Sequence, residues 1–279
     1  MKISIIGTGQ IGTDLLYKML KIDYIKVVAF VGRRKLELKK IPDSVFYSED
    51  SIDFFISNPK CCDVVFDCTD AYSATLNYKV FHEQNIKVID LTPSKIGKPY
   101  IPYITAINSP NINMVTCGGQ TSIPLLKYFN EKLNIEYVEI ITQISSDSAG
   151  IATRINIDKY IETTESAIIE LVGIQKCKVI LNINPSIHTI MQTTIYIKIY
   201  KNTNKSCLDD VQDYVNRSVR NYISNYKITT PVWLSDNLLI VQISVLGDGD
   251  VFSKYFGNLD IINCAAVHAL SEMYRNINI

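Results

Sequence analysis

Residues 2–21 read KISIIGTGQIGTDLLYKMLK. A β-branched apolar run, Lys2 to Ile6, gives way to glycines spaced G-x-G-x-x-G, and the next stretch, Thr13 to Lys21, repeats its apolar residues at helical intervals. Strand, glycine turn and helix in that order begin a parallel βαβ unit. Each glycine has its own task in such a turn. Gly7 permits the sharp bend, Gly9 lets the backbone approach a pyrophosphate, and Gly12 lets the helix lie close to the strand. With Thr8, Gln10 and Ile11 they complete the motif, and the free N–H groups of the helix start attract phosphate oxygens. Strand-to-helix turns also use glycine for steric reasons alone. This one follows a first strand and precedes a second, Val27 to Val31, which is the context of a dinucleotide site.

The second strand ends Val31-Gly32-Arg33-Arg34, where an NAD site normally carries an acid for the ribose hydroxyls. Arg33 or Arg34 instead offers a guanidinium to the 2′-phosphate of NADP, or is a solvated loop arginine, so the cofactor reads as NAD or NADP.

Outward from this turn, strands are expected at Val64 to Asp67 and Val88 to Leu91 with a helix at Ala74 to Gln84, a parallel sheet covered by helices. Beyond Ile135 the texture changes. Strands at Ile135 to Ile144, Val179 to Ile183, Thr194 to Tyr200 and Leu238 to Val245, with helices at Ile157 to Val172 and Leu208 to Ser224, predict an antiparallel sheet with helices on one face. The last helical stretch, Leu259 to Arg275, carries Ile261, Ile262, Ala265, Ala266 and Leu270 on one stripe and is expected to pack back on the first domain. The class is α/β, in two domains.

Composition narrows the function. The 279 residues, 47% hydrophobic, suffice for two cores. Lys plus Arg balances Asp plus Glu at 28 each, so no net field recruits nucleic acid or an acidic membrane, and a small-molecule substrate fits better. The chain starts directly in a strand, and no run approaches the ~20 apolar residues of a membrane span, so neither a signal peptide nor an anchor is expected. Seven cysteines, with no CxxC pair, suggest neither a disulfide framework nor a zinc site, and point to a reducing cytoplasm.

Among those cysteines Cys117 stands apart. Asn113-Met114-Val115-Thr116-Cys117-Gly118-Gly119-Gln120 sets it between a strand-like run and an expected helix, Ile123 to Leu133, with two glycines granting access to its sulfur. A helix N-terminus favours a thiolate, and a shift from about 8.5 to about 7 would make the thiol roughly half ionised at neutral pH. The bland alternative is a small buried hydrophobe, which is the reading for the other six.

NMVTCGGQ (113–120), DLTPSKIG (90–97), SDSAGIATRINID (146–158) and GNLDI (257–261) together resemble the acylating acetaldehyde dehydrogenases that share operons with 4-hydroxy-2-oxovalerate aldolases. The resemblance spans nearly the whole chain. It implies a Rossmann dinucleotide-binding domain plus an α+β domain of glyceraldehyde-phosphate-dehydrogenase type. The first would cover 1–115, completed by a C-terminal helix at 258–279, and the second, for catalysis and dimerisation, 116–257. Cys117 would hold the acyl thioester, with coenzyme A as cosubstrate and a short aldehyde or an acyl thioester as substrate. The nicotinamide cofactor would touch Thr8, Gly9, Gln10 and Ile11, the segment Ser148, Ala149, Gly150, Ile151, Ala152, Thr153, Arg154, Ile155 and Asn156, and Asn258. An aldolase partner is a further implication of the resemblance, while the apolar C-terminal helix and the long strands suit the pairing of two copies of this chain, a homo-oligomer. Without the resemblance, Ser148 to Asn156 reads as a turn capping a helix with Asn156 or Asp158 near its start, and Asn258 as a turn residue.

Several positions depart from the family pattern. An Arg-Asp pair is expected before a Thr-Val-Tyr-like strand, but the segment Met191-Gln192-Thr193-Thr194-Ile195-Tyr196 has no acid. Ile151-Ala152 replaces Pro-Gly, and Asp147 stands where a lysine is usual. His188 lies close enough in sequence to be a substitute base, whereas His82 and His268 read as packing or surface residues. The stretch after Arg34, which would flank adenosine, is short. These departures leave a second reading, a non-catalytic dinucleotide-binding scaffold or sensor, and a third in which Cys117 is only a core residue of a Rossmann reductase.

Overall fold

The computed structural model describes residues 1–36, 42–200 and 205–277, with the side chains of 205, 230 and 277 outside the description. Part of the short adenosine-side stretch and the last two residues of the expected C-terminal helix therefore fall outside it. In chain order the elements are β1 (Lys2–Ile6), α1 (Gln10–Met19), β2 (Lys26–Val31), β3 (Phe46–Tyr47), α2 (Ser51–Ser57), β4 (Val64–Asp67), α3 (Ala71–Glu83), β5 (Lys87–Asp90), β6 (Lys98–Pro99), β7 (Asn111–Asn113) and α4 (Cys117–Asn130). There follow β8 (Ile135–Ser145), α5 (Ile151–Ile155), α6 (Ile157–Val172), β9 (Cys177–Asn184), β10 (Met191–Ile199), α7 (Val211–Arg217), β11 (Tyr226–Ser235), β12 (Leu238–Val245) and α8 (Gly257–Ile277).

The first sheet has the order β3-β2-β1-β4-β5-β7-β6, with every neighbouring pair parallel. A sheet buried on both faces needs near-continuous apolar strands, and β4, Val-Val-Phe-Asp, is buried at each position. Alternate strand residues feed two cores. Ile3, Ile5, Val64 and Phe66 meet α1 and α8 through Leu15, Leu16, Ala265 and Leu270, while Ile6, Val65 and Val88 meet α2 and α3 through Phe54, Phe55 and Phe81. Each such side chain contributes about 1.5–3 kcal/mol on burial. The strand order reverses between β1 and β4, and loops leaving the carboxyl ends there diverge to open a crevice.

Helix α8 joins this layer from the far end of the chain. Lys18 on α1 pairs with Asp260, with Asp14 at 3.8 Å and with Asp248 at 3.5 Å, and Asn263 donates to the Asp14 carboxylate at 2.7 Å. Burial pushes the Asp14 carboxyl up to about 6 against the pull of Lys18.

The second sheet, β11-β12-β10-β8-β9, corrects the expectation of an antiparallel sheet: its pairs are antiparallel except β8 with β9, which run parallel. The cause is the 16-residue helix α6 between them, a crossover that returns the chain to the same end of the sheet. Along β10 and β12 buried and half-buried residues alternate, so one face packs on α4 and α6 and the other stays open. The helix expected at Leu208 to Ser224 is broken into a 3-10 turn, α7 and a second 3-10 turn. Ser218 donates its hydroxyl to the Tyr214 carbonyl at 2.7 Å, a local bond that competes with helix continuation. Strand β11 was not anticipated.

Candidate functional site

The glycine turn shows two kinds of necessity. Gly7 has φ +87°, and a Cβ there would lie 2.4 Å from the Cys68 carbonyl oxygen, while one on Gly12 would lie 2.0 Å from the Gly7 oxygen. Both glycines are demanded by the chain itself. A Cβ on Gly9 would meet nothing within 4 Å, so that position is open space. Gly9 precedes α1 and supplies no side-chain cap, which leaves the first N–H groups of a 10-residue helix available to an anion.

Two carboxylates tie down the neighbouring loops. Asp67 at the end of β4 accepts from the Thr69 N–H at 3.0 Å and from Asn77 at 3.1 Å. Asp90 at the end of β5 accepts from the Thr92 N–H at 2.8 Å and from Asn113 at 2.7 Å. Burial pushes the Asp67 carboxyl up to about 6 and the Asp90 carboxyl up to about 7, and their hydrogen bonds work the other way.

Asn113 also accepts from the Val115 N–H at 2.9 Å and so fixes a strained residue: Val115 has φ +60°, a left-handed conformation costing about 1–3 kcal/mol for a side chain of this kind. Gln120 donates to the Tyr100 and Met114 carbonyls, each at 2.8 Å, locking the turn from inside. The Thr116 side chain caps α4 by accepting from the Gly119 N–H at 3.0 Å. Cys117 is therefore the first residue of α4. The helix begins six residues before the expected Ile123.

A cleft of about 640 Å³, counted to its open mouth, runs between these loops and the second sheet. On one side lie Ile11 of α1, Thr69 and Asp70 after β4, and Pro93 after β5; opposite are Ala152, Thr153, Asn156 and Tyr160, with Asn258 at the start of α8. Cys117 lines the cleft and is half-buried, its Sγ 3.7 Å from the Tyr160 hydroxyl. Burial pushes its thiol up to about 11, while hydrogen bonds from Tyr160 and the Gly118 N–H lower it. The net shift is opposite to the one a helix terminus alone leads one to expect.

The structure brings Cys117, Ile11, Ala152, Thr153, Asn156 and Asn258 together around the cleft. Gly7, Thr8, Gly9, Gln10 and Gly12 form the turn around Ile11 but do not themselves line the cleft. Gln10 donates to the Asp147 carbonyl at 2.8 Å and Asn258 to the Ser148 carbonyl at 3.2 Å, so the 146–150 segment is pinned to both the first turn and α8. The Gln10 and Asn258 amide oxygens are buried without a partner, as a site awaiting a ligand donor would leave them. Ala149 is buried and Gly150 precedes α5. Arg154 folds back onto the Ala149 and Ser146 carbonyls, whereas Ile151 and Ile155 point to solvent, 81% and 69% exposed. Asn156 sits at the start of α6 but bonds backwards to the Ala152 carbonyl at 2.7 Å and does not cap it.

Arg33 is exposed and touches its surroundings through its carbonyl, which accepts from Ser48 at 3.3 Å. His188 is exposed, its ring 5.2 Å from that of Tyr255, and is not part of the cleft wall. Asp147 is exposed and does not act on the Cys117 thiol. Tyr160 and Asp70 were not singled out from sequence. Asp70 was findable as an Asp before a helix, where it accepts from the Tyr72 and Ser73 N–H groups; nothing local distinguishes Tyr160.

Comparison with known proteins matches residues 2–113 to the family model "Semialdehyde dehydrogenase, NAD binding domain" and residues 117–253 to "Prokaryotic acetaldehyde dehydrogenase, dimerisation". The acetaldehyde dehydrogenase of Pectobacterium atrosepticum is 40% identical over 288 residues, covering 99% of this chain and 96% of that protein. That of Spirochaeta aurantia is also 40% identical, with 98% and 94% covered. Among solved structures, aspartate semialdehyde dehydrogenase II of Vibrio cholerae superposes with a TM-score of 0.69 over 98% of each chain at 10% identity, a likeness of fold.

Proposed function

The chain belongs to the acetaldehyde dehydrogenase family, and we propose that Cys117 is its nucleophile and the cleft above α4 its active site. The protein is an NAD-dependent oxidoreductase acting on an aldehyde, and the dimerisation model over 117–253 supports a homo-oligomer. The observation that carries the site is the placement of the Cys117 sulfur at the first turn of α4, inside a cleft that also reaches Ile11 of the glycine-turn helix and Asn258.

The residues present fit a nicotinamide dinucleotide. The uncapped start of α1 suits its pyrophosphate, and the orphaned amide oxygens of Gln10 and Asn258 suit donor groups such as a carboxamide. When bound, it accepts a hydride from the substrate carbon. The Cys117 thiolate adds to the aldehyde carbon, forming the S–C bond and moving the carbonyl electron pair onto oxygen. The N-terminal dipole of α4 stabilises that oxygen, and once hydride departs the carbonyl reforms as a thioester on Cys117. Coenzyme A then takes the acyl group through its own thiolate and regenerates Cys117, and the sequence is reversible.

Residues 1–115 with 258–279 are assigned to cofactor binding and 116–257 to catalysis and dimerisation, the dimer using the open face of the second sheet. The resemblance to this family also points to an aldolase partner that supplies the aldehyde. Seven free cysteines fit a reducing cytoplasm, and no helix among the described residues is long and apolar enough to cross a membrane.

The test mixes protein, acetaldehyde, coenzyme A and NAD or NADP and follows reduced-nicotinamide absorbance. Cys117→Ala is expected to lower turnover on the order of 10⁴-fold with dinucleotide binding intact. Undiminished turnover in that variant would remove Cys117 from the mechanism. Faster turnover with NADP would reassign Arg33 to a 2′-phosphate.

A further inference from the structure

We propose that the Tyr160 hydroxyl is a catalytic hydrogen-bond donor to the Cys117 sulfur, the terminal member of a buried line of hydroxyls that stabilises the thiolate. The inference rests on the reading of Cys117 as nucleophile. Tyr160 lies on α6, 6% exposed, and its Oη accepts from the Gly118 N–H at 3.0 Å. With that lone pair engaged and Sγ at 3.7 Å, the phenol has one proton to place.

Three groups surround that proton, the sulfur, Thr142 and Thr116, and Thr116 Oγ1 is already engaged by the Gly119 N–H at 3.0 Å and by Thr164 Oγ1 at 2.7 Å. A Cβ on Gly118 would stand 2.2 Å from the Tyr160 hydroxyl and 2.9 Å from Thr142 Oγ1, so the two oxygens meet over the one residue after the cysteine that leaves them room. Thr142 Oγ1 is in turn 3.1 Å from Thr193 Oγ1, and both threonines are fully buried. The line therefore runs Thr193, Thr142, Tyr160, Cys117. It ends inside the Met191 to Tyr196 segment, which lacks the acid that the family resemblance leads one to look for.

Hydroxyls both donate and accept, so the line has two directions. With a neutral thiol, S–H donates to Tyr160 and the phenol donates to Thr142. When the thiol proton leaves to solvent in the cleft, each hydroxyl turns: Thr193 donates to Thr142, Thr142 to Tyr160, and the phenol to the thiolate. Tyr160 keeps its own proton throughout, consistent with burial holding its phenol well above the usual range.

The cleft also holds Cys68, Asp70 and Asn258, from the β4–α3 loop and α8, but the influences on the Cys117 sulfur are burial, the Tyr160 hydroxyl and the N–H groups of Gly118 and Cys117. Among the described residues no charged side chain figures in that balance. Among the described residues the Tyr160 hydroxyl, a neutral donor, is the side chain within hydrogen-bond reach of that sulfur.

The experiment measures iodoacetamide alkylation of Cys117 between pH 7 and 9 by peptide mass spectrometry, with Cys61 as internal reference. Tyr160→Phe keeps the ring and removes the donor. Its Cys117 rate is expected to fall about three- to tenfold at each pH while Cys61 is unchanged and NADH binding persists, a shift of about one pKa unit partly offset by the higher nucleophilicity of a more basic thiolate. A Cys117 rate within twofold of the parent would overturn the proposal. Should Tyr160→Phe lose NADH binding, Thr142→Val decides instead: a slowing of twofold or more sustains the hydroxyl line, and an unchanged rate rejects it. The readout does not depend on turnover, so a failure of the Cys117 assignment, seen as retained activity in Cys117→Ala, stays distinguishable.

Discussion

The two walls of the cleft are built on opposite plans. The wall from the parallel sheet is over-determined. Gly7 fits only as glycine, Asp67 and Asp90 each gather several donors, and the strained Val115 is held by Asn113. The facing wall, 146–156, is tied to the rest by hydrogen bonds from Gln10 and Asn258 and by the buried Ser148 and Ala149, while Arg154 bonds only within it and Ile151 and Ile155 turn outward. The difference separates what must be exact before substrate arrives, the cysteine and the phosphate turn, from what need only close over it. The exposed turn 151–155 is the part of this wall whose low packing suits a segment that adjusts to a ligand.

The contrast is broken most severely at Gly7. Gly7→Ala adds both a disfavoured φ and a clash with the Cys68 backbone, and should cost about 3 kcal/mol or more in urea unfolding. A loss under about 1 kcal/mol would mean the wall yields.

Asp90 tests the same wall through pH. Its folded-state pKa is raised from 3.8 to about 7, so the stability it contributes is full below about pH 4 and lost as pH rises through about 7. Unfolding free energy should thus fall between pH 5 and pH 8, and Asp90→Asn should remove on the order of 2 kcal/mol of that fall. An unaltered pH slope would show that Asp90 does not carry it.

The smallest effect belongs to the other wall. A Cβ on Gly150 would sit 3.5 Å from the Gln10 side chain, an ordinary contact, so Gly150→Ala should change stability by less than about 0.5 kcal/mol. A larger change in the melting curve would make the two walls alike.

Legibility in the sequence follows the same division. Strands Lys2–Ile6 and Val64–Asp67 and the helix Ile157–Val172 announce themselves because burial imposes an unbroken or periodic apolar pattern. Strand β11 escaped because Pro231 interrupts it; an edge strand tolerates a proline that a central one would not, and β11 lies at the sheet edge. The glycine turn and Cys117 were visible as local motifs. Tyr160 was not, since its relation to the sulfur spans 43 residues and exists only once α6 lies against α4. The setting of the Cys117 thiol was hidden for a like reason, since the burial that raises its pKa comes from residues distant in sequence.

The pairing of α1 with α8 has a consequence for how the protein is made. Leu15, Leu16 and Met19 share a core with Ile262, Ala266 and Leu270, and Lys18 finds Asp260 only in the last helix. A ribosome releases the glycine turn about 250 residues before the helix α8 that shares its core. Until α8 emerges the nascent first sheet carries an apolar face that α1 covers only in part, so the integrity of an early element depends on a much later one.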